Sequence, residues 1–404
     1  MRRWVTTTES RSLSLPHSKS LPAVATVESQ ALSRELDRQH RTPCLIVDLD
    51  IVRSNYRELS ESIDGLEVFY AIKANSHPEV LNALREQGCN FDVASIGEIE
   101  QCRAVGATGA QMSFGNTVKS QRSIIAAVEA GIDYFAFDCI EELDKLSEFA
   151  PGSLVMCRLQ TSGRGAAWPL SRKFGRHEEA AEALLCEAHR RGHRCGVTFH
   201  VGSQQLLADG WDESIASSAV LGRALDRIGG ALEVLNLGGG FGSRYLSNSA
   251  PSVAEYAQGI STALDRNFGT SVPPRLFAEP GRGLVAEAGV IDTEVLLVSS
   301  RPDIDPDPWV YVDVGVATGL VETSDSMILF PVSSTASGEL RSCVIAGPTC
   351  DSVDVLYDRV RPLLPATLKP GDRLRLHHAG AYTSVNSTVG FNGFDPLEVI
   401  IASS

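Results

Sequence analysis

No Cys-x-x-Cys pair occurs in the 404 residues, although nine cysteines do: Cys44, Cys89, Cys102, Cys139, Cys157, Cys186, Cys195, Cys343 and Cys350. Closely paired thiols are the usual sequence sign of a structural zinc site, so no metal is expected. An odd, scattered set of thiols fits a reducing compartment, and the expected location is the cytoplasm. The chain also lacks an apolar run long enough to cross a bilayer. No apolar segment follows Arg2 and Arg3, so a secretory signal is not expected. Positive charge is in deficit, with 36 Lys and Arg against 50 Asp and Glu, a net charge of -14. That balance argues against nucleic acid or an anionic membrane as the main partner, and it would suit a cationic small molecule.

What is present, from about residue 44 onward, is alternation. Residues 1–40 read as a disordered extension, because the first thirty are rich in Ser and Thr and poor in apolar periodicity. Strand-like runs then occur at 66–73, 91–95, 112–115, 134–138, 154–161, 195–202, 232–238 and 275–279. Helical stretches separate them, for example 97–105, 120–130, 140–149, 177–191, 212–228 and 252–266. Gly88, Gly106, Gly131 and Gly192 each precede a new strand, as helix-ending glycines do. Eight strand–helix alternations over residues 41–283 predict an α/β fold, a (β/α)8 barrel; a doubly wound open sheet is the alternative. After Gly283 the pattern changes to short strands divided by Pro, Gly and Ser, so residues 284–404 read as a C-terminal β domain. The apolar stretch 43–48, just ahead of the first barrel helix, is a further candidate strand.

In such a barrel, chemistry sits at the C-terminal ends of the strands. Those ends carry Lys73, Ala94-Ser95, Arg158, His200-Val201-Gly202-Ser203, Gly238-Gly239-Gly240 and Glu279-Pro280-Gly281-Arg282. Singly, each has a plain reading: a solvated lysine, a satisfied core histidine, a flexible turn, a local Glu–Arg pair. Together they bring a lysine, a glycine-rich anion cradle, an arginine and a carboxylate to one mouth. That set suits an aldehyde cofactor bearing a phosphate and a basic ring nitrogen.

Ten motifs in order resemble the fold-type III pyridoxal-phosphate (PLP) decarboxylases, which act on ornithine, lysine, arginine or diaminopimelate. They are YAIKAN (70–75), FDVAS (91–95), SFGNT (113–117), WPLSRKFG (168–175), HVGSQ (200–204), LGGGFG (237–242), AEPGR (278–282), GPTCDS (347–352), GAYT (380–383) and FNGF (391–394). The resemblance spans about residues 40–400. It implies a PLP-binding barrel followed by a β domain, in a homodimer with shared active sites. It further implies that Lys73 carries PLP as a Schiff base, with its amine pKa lowered. Glu279 would hold the pyridine nitrogen and His200 would stack on the ring. Ser203, Gly238, Gly239, Gly240, Gly281, Arg282 and Tyr382 would hold the phosphate, and Asp92 and Arg158 would line the site. Cys350, from the partner subunit, resembles the proton donor to the substrate carbon; its plain reading is an inert buried thiol. Asp351 would bind the distal ammonium of the substrate. Lys173 and Asp354 resemble a pair that meets across the dimer interface, a surface charge on each being the alternative.

Substrate choice within the family turns on a few residues. Asp351-Ser352 follows Cys350, where diaminopimelate enzymes usually carry Glu-Ser. WPLSRKFG looks closest to ornithine decarboxylases. The Tyr-Asp pair that helps hold the distal amine in eukaryotic ornithine enzymes is missing from 311–331, a segment more like the bacterial lysine/ornithine enzymes. Glu322 and Asp325 are its candidate substitutes. Ornithine, converted to putrescine for polyamine biosynthesis, is the first expectation. Lysine follows closely; arginine or another diamino acid is the remaining alternative. A non-catalytic regulatory homologue, an alanine racemase and a PLP carrier without catalysis fit less well, since the cofactor residues are all present and the HVGSQ, GPTCDS and FNGF motifs speak against a racemase.

Overall fold

The computed structural model describes residues 29–38 and 40–402, so most of the expected extension, residues 1–28, lies outside the described residues. Eight parallel strands close into a barrel: Leu66–Ala71, Asn90–Val93, Met112–Phe114, Tyr134–Phe137, Leu154–Arg158, Arg194–Thr198, Leu232–Asn236 and Arg275–Ala278. Every one stops short of the C-terminal end that the apolar pattern predicts. The ladder breaks where the chain turns into the loops of the mouth. Lys73, expected at a strand end, therefore sits on a short 3-10 turn, Ile72–Ala74.

The period of two along a strand stacks the inward residues in layers. At the floor, Arg275 holds both oxygens of Glu67, at 2.7 and 2.6 Å, and also bonds the Tyr134 hydroxyl. Above lies a plug of Phe69, Tyr134, Leu154, Met156, Val234 and Phe277, with Phe69 and Phe277 rings 4.3 Å apart. Two residues further along those strands come Ala71, Arg158, Asn236 and Glu279. The plug closes the barrel from below and leaves the polar layer facing the mouth. Helices wrap the outside and are capped locally. Ser95 accepts from Glu98 N at 3.2 Å, and Ser252 and Glu255 form a capping box. Gly88, Gly106, Gly131 and Gly192 take the left-handed conformation expected of helix ends.

The C-terminal domain is an eight-stranded sheet built on the long strand Gly289–Ser299. Two segments near the start of the chain join it. Cys44–Asp48, within the range assigned to the barrel, pairs antiparallel with Gly289–Ser299 and parallel with Glu398–Ala402. All five of its residues are buried, a demand that only a strand covered on both faces meets. Residues 30–36, placed in the extension, instead form the helix Gln30–Leu36. It buries Ala31, Leu32 and Leu36 against Cys44, Ile46, Val290 and Ala402. The β domain thus begins before the barrel and ends after it. No helix among the described residues is long and apolar enough to cross a membrane.

Candidate active site

The loops above the plug enclose a pocket with an empty volume of about 340 Å³. Its walls include Lys73, His200, Ser203, Gly239, Gly240, Glu279, Gly281, Arg282 and Tyr382. Residues spread over more than three hundred positions meet here. Lys73 lies open to the pocket, its Nζ 3.9 Å from Asp92 Oδ2. Asp92 is buried and accepts the Gly115 N–H at 3.1 Å. A side chain on Gly115 would run into that carboxylate, so the FGN turn requires glycine.

The direction of the Lys73 shift differs from expectation. Burial pulls the Lys73 amine down, but Asp92, Tyr382 and Glu279 outweigh it and the nearby Arg158, so its pKa rises above the ordinary lysine value rather than falling. Burial and then Glu279 push Asp92 well above the carboxylate range, against the opposing pull of Lys73. The expected lowering assumed that cations dominate the site; its acidic neighbours do. His200 moves the other way, down to about 3, through burial, Arg158 and Lys73. Its Nδ1 accepts the Gly202 N–H at 3.0 Å, so the neutral ring carries its proton on Nε2. Arg158 couples to Glu279 and Asp92 and stacks over Phe174, 5.2 Å from the ring centre.

Arg282 forms the opposite wall and is 3% exposed. Its fork donates to Glu322 Oε2 at 2.9 Å and Oε1 at 2.6 Å, to Tyr245 Oη at 3.1 Å and to Ser203 Oγ at 3.4 Å. It lies 4.8 Å over the Tyr382 ring. Burial opposes its charge, but Tyr245 and Glu322 more than offset that and keep it protonated. Both Glu322 oxygens are therefore taken by Arg282. The structure puts Glu322 on the arginine side of the pocket rather than free for a substrate amine. The other candidate, Asp325, lies on the 3-10 turn Val321–Ser326, and its side chain is outside the described residues.

Cys350 and Asp351 do not line this pocket. Cys350 is exposed, which removes its buried-thiol reading, and its N–H donates to Asn392 Oδ1 at 3.1 Å. Asp351 is exposed and accepts the Val353 N–H at 3.1 Å. Asp354 is no surface charge. It is buried and accepts from Val316 N at 2.7 Å, Thr349 N at 3.1 Å and Thr349 Oγ1 at 2.7 Å, which ties down the GPTC loop. Lys173 is exposed, over the Phe174 ring.

Sequence reading missed Tyr245, Gln204 and Asn236. Tyr245 supports Arg282, and Gln204 lines the pocket while bonding Asn248 Oδ1 at 2.8 Å. Asn236 donates to Glu279 Oε1 at 2.6 Å. Only Asn236 had a usable signal: it holds the inward period-two position at a strand end, immediately before the glycine run.

A barrel mouth that joins a lysine, a neutral imidazole, a carboxylate and a buried arginine defines a pyridoxal-phosphate site. The residues fit that group. A side chain on Gly239 would come within 2.8 Å of the Glu279 carbonyl and 3.2 Å of His200 Nε2. Arg282 Nε is buried with no hydrogen-bond partner among the described residues, a donor left for an anion. The family profile described as "Pyridoxal-dependent decarboxylase, pyridoxal binding domain" matches residues 49–286. The lysine/ornithine decarboxylase of Selenomonas ruminantium is 33% identical over 369 residues, 91% of each chain. A crystal structure of lysine decarboxylase from the same organism superposes with a TM-score of 0.83 at 32% identity, covering 93% of this chain and 97% of that one. The lysine/ornithine decarboxylase of Vibrio vulnificus complexed with cadaverine gives 0.83 at 28% identity, covering 94% and 100%. The chain belongs to the pyridoxal-dependent decarboxylases. It is an amino-acid decarboxylase with pyridoxal phosphate as its cofactor.

Proposed function

We propose that the chain decarboxylates L-ornithine to putrescine, with L-lysine as the second substrate. The observation that carries a decarboxylase of this kind is the convergence of Lys73, His200, Glu279 and Arg282 on one pocket. The lysine/ornithine relatives of similar length support a linear basic substrate over one bearing a second carboxylate. The relatives' dual names favour keeping lysine as the second reading.

When bound, PLP supplies an aldehyde for the substrate amine and a ring that accepts electrons as CO2 leaves. Lys73 offers its amine to the pocket, and Asp92 Oδ2, 3.9 Å away, is the nearby acceptor for its proton. Glu279 would pair with the ring nitrogen, and neutral His200 would support the ring without competing for charge. Arg282 Nε and Ser203, with the backbone N–H groups of the Gly238–Gly240 loop and Gly281, would hold the phosphate, with Tyr382 beside them. Cys350 and Asp351 reach the pocket of a second copy in a homodimer, a reading motivated by their exposure and their absence from the pocket of their own chain. There Cys350 Sγ returns a proton to the substrate α-carbon, and the Asp351 carboxylate holds the distal ammonium. The deciding measurement is CO2 and amine release by purified protein from ornithine, lysine, arginine and diaminopimelate. Turnover of diaminopimelate alone, or of none, would sink this reading.

A further inference from the structure

Glu279 is gripped from below. Asn236 is fully buried at the end of the strand Leu232–Asn236, one layer above Val234. Its Nδ2 donates to Glu279 Oε1 at 2.6 Å, and its Oδ1 accepts the Gly238 N–H at 2.9 Å. These two partners fix the amide orientation, because an ionised carboxylate only accepts and an N–H only donates. One short side chain therefore holds both a pocket carboxylate and the first glycine of the loop beside it. Aspartate would still accept from Gly238 but would set a second anion against Glu279. Alanine or leucine would serve neither partner.

We propose that Asn236 is a positioning residue of the reaction, holding the Glu279 carboxylate in place and locking it in register with the Gly238–Gly240 loop. The role rests on Glu279 being the partner of the pyridine nitrogen. A donated hydrogen bond favours the charged form of a carboxylate. The charged groups coupled to Glu279 are Asp92 from the second barrel strand, Lys73 from the turn after the first, and Arg158 from the fifth. Asn236 adds a neutral donor from the seventh strand. It grips the carboxylate without adding a charge that would repel the ring nitrogen. The second bond makes the support geometric: any shift of Glu279 must drag the loop that borders the phosphate.

The test uses full-length protein with Asn236→Asp, Asn236→Ala and Glu279→Gln variants. PLP dissociation constants and the absorbance of the bound cofactor are followed across pH, with thermal melts as the folding control. Asn236→Asp should still fold cooperatively, since the Gly238 N–H keeps an acceptor, with a melting temperature lowered by the second buried carboxyl. At neutral pH it should bind PLP about ten- to a hundredfold more weakly, the range of one hydrogen bond to a charged group. The deficit should shrink as pH falls, because a proton shared by the two carboxyls restores a donor, and the cofactor band should become pH-dependent with it. Asn236→Ala should bind weakly without that pH trend. Parent-like PLP binding and a parent-like band in Asn236→Asp, with Glu279→Gln impaired, overturns the role of Asn236 alone. Unchanged binding and spectrum in Glu279→Gln overturns the Glu279 reading, and this role with it.

Discussion

At the scale of single residues, the partner of Arg282 decides an assignment. Glu322 gives both oxygens to a guanidinium that is almost fully buried, so removing it strands a charge away from water. Breaking one side of a buried ion pair typically costs about 3–5 kcal/mol. Glu322→Ala should accordingly lower the melting temperature and weaken PLP binding, with the ratio of ornithine to lysine turnover unchanged. A switch in that ratio with intact PLP affinity would return Glu322 to the substrate amine. Asp92 makes a second residue-scale prediction. It is the first of the groups that raise Lys73, so Asp92→Asn should lower the amine pKa. The pH profile of borohydride-trapped PLP attachment should move to lower pH; a profile that stays in place counts against the coupling.

At the scale of elements, the GPTC loop is held by one carboxylate. Gly315 and Gly347 both press on Asp354, and a side chain on Gly347 would collide with it. Gly347→Ala should displace the loop that carries Cys350 while leaving the Lys73 pocket whole. kcat should fall at least tenfold with PLP affinity retained; loss of PLP instead would mean that the loop and pocket are not separable. In the β domain, His377 is buried with Nε2 2.7 Å from Ser333 Oγ. Burial, His378 and Arg375 lower its pKa from 6.5 to about 4. Between those values the unfolded chain binds the extra proton, so stability is whole above about pH 6.5 and declines as pH falls toward 4. His200 acts in the same direction. Thermal melts from about pH 7 to about pH 5 should show that loss, and His377→Gln should reduce its slope. An identical slope in the variant would place the acid sensitivity elsewhere.

At the scale of the whole molecule, the proposed catalytic thiol is exposed and does not line the pocket that holds the lysine of its own chain. Mixing inactive Lys73→Ala and Cys350→Ala proteins under conditions that exchange subunits should restore about a quarter of parent activity, because random pairing leaves one intact site in half of the dimers. No recovery, with exchange verified by mass, would mean that the sites are not shared. Val353, close to Cys350 in sequence, and Phe391 and Phe394, flanking the Asn392 that binds the Cys350 N–H, are exposed large apolar side chains.

The eight barrel strands and the glycine helix ends were legible in the sequence. Short apolar runs and helix-ending glycines are local consequences of backbone geometry, and ten motifs pointed to the family and its cofactor. Three features were not legible, and each depends on contacts between distant segments. Cys44–Asp48 pairs with strands more than two hundred residues away, which no local pattern specifies. The engagement of Glu322 by Arg282 is set by how the β domain packs on the barrel. The upward shift of Lys73 is the sum of burial and several separated charges. The sequence by itself determined which chemical groups the chain brings to the barrel mouth. Tertiary structure alone decided which of them are paired and which face away, because contacts and burial depend on distances that only packing defines.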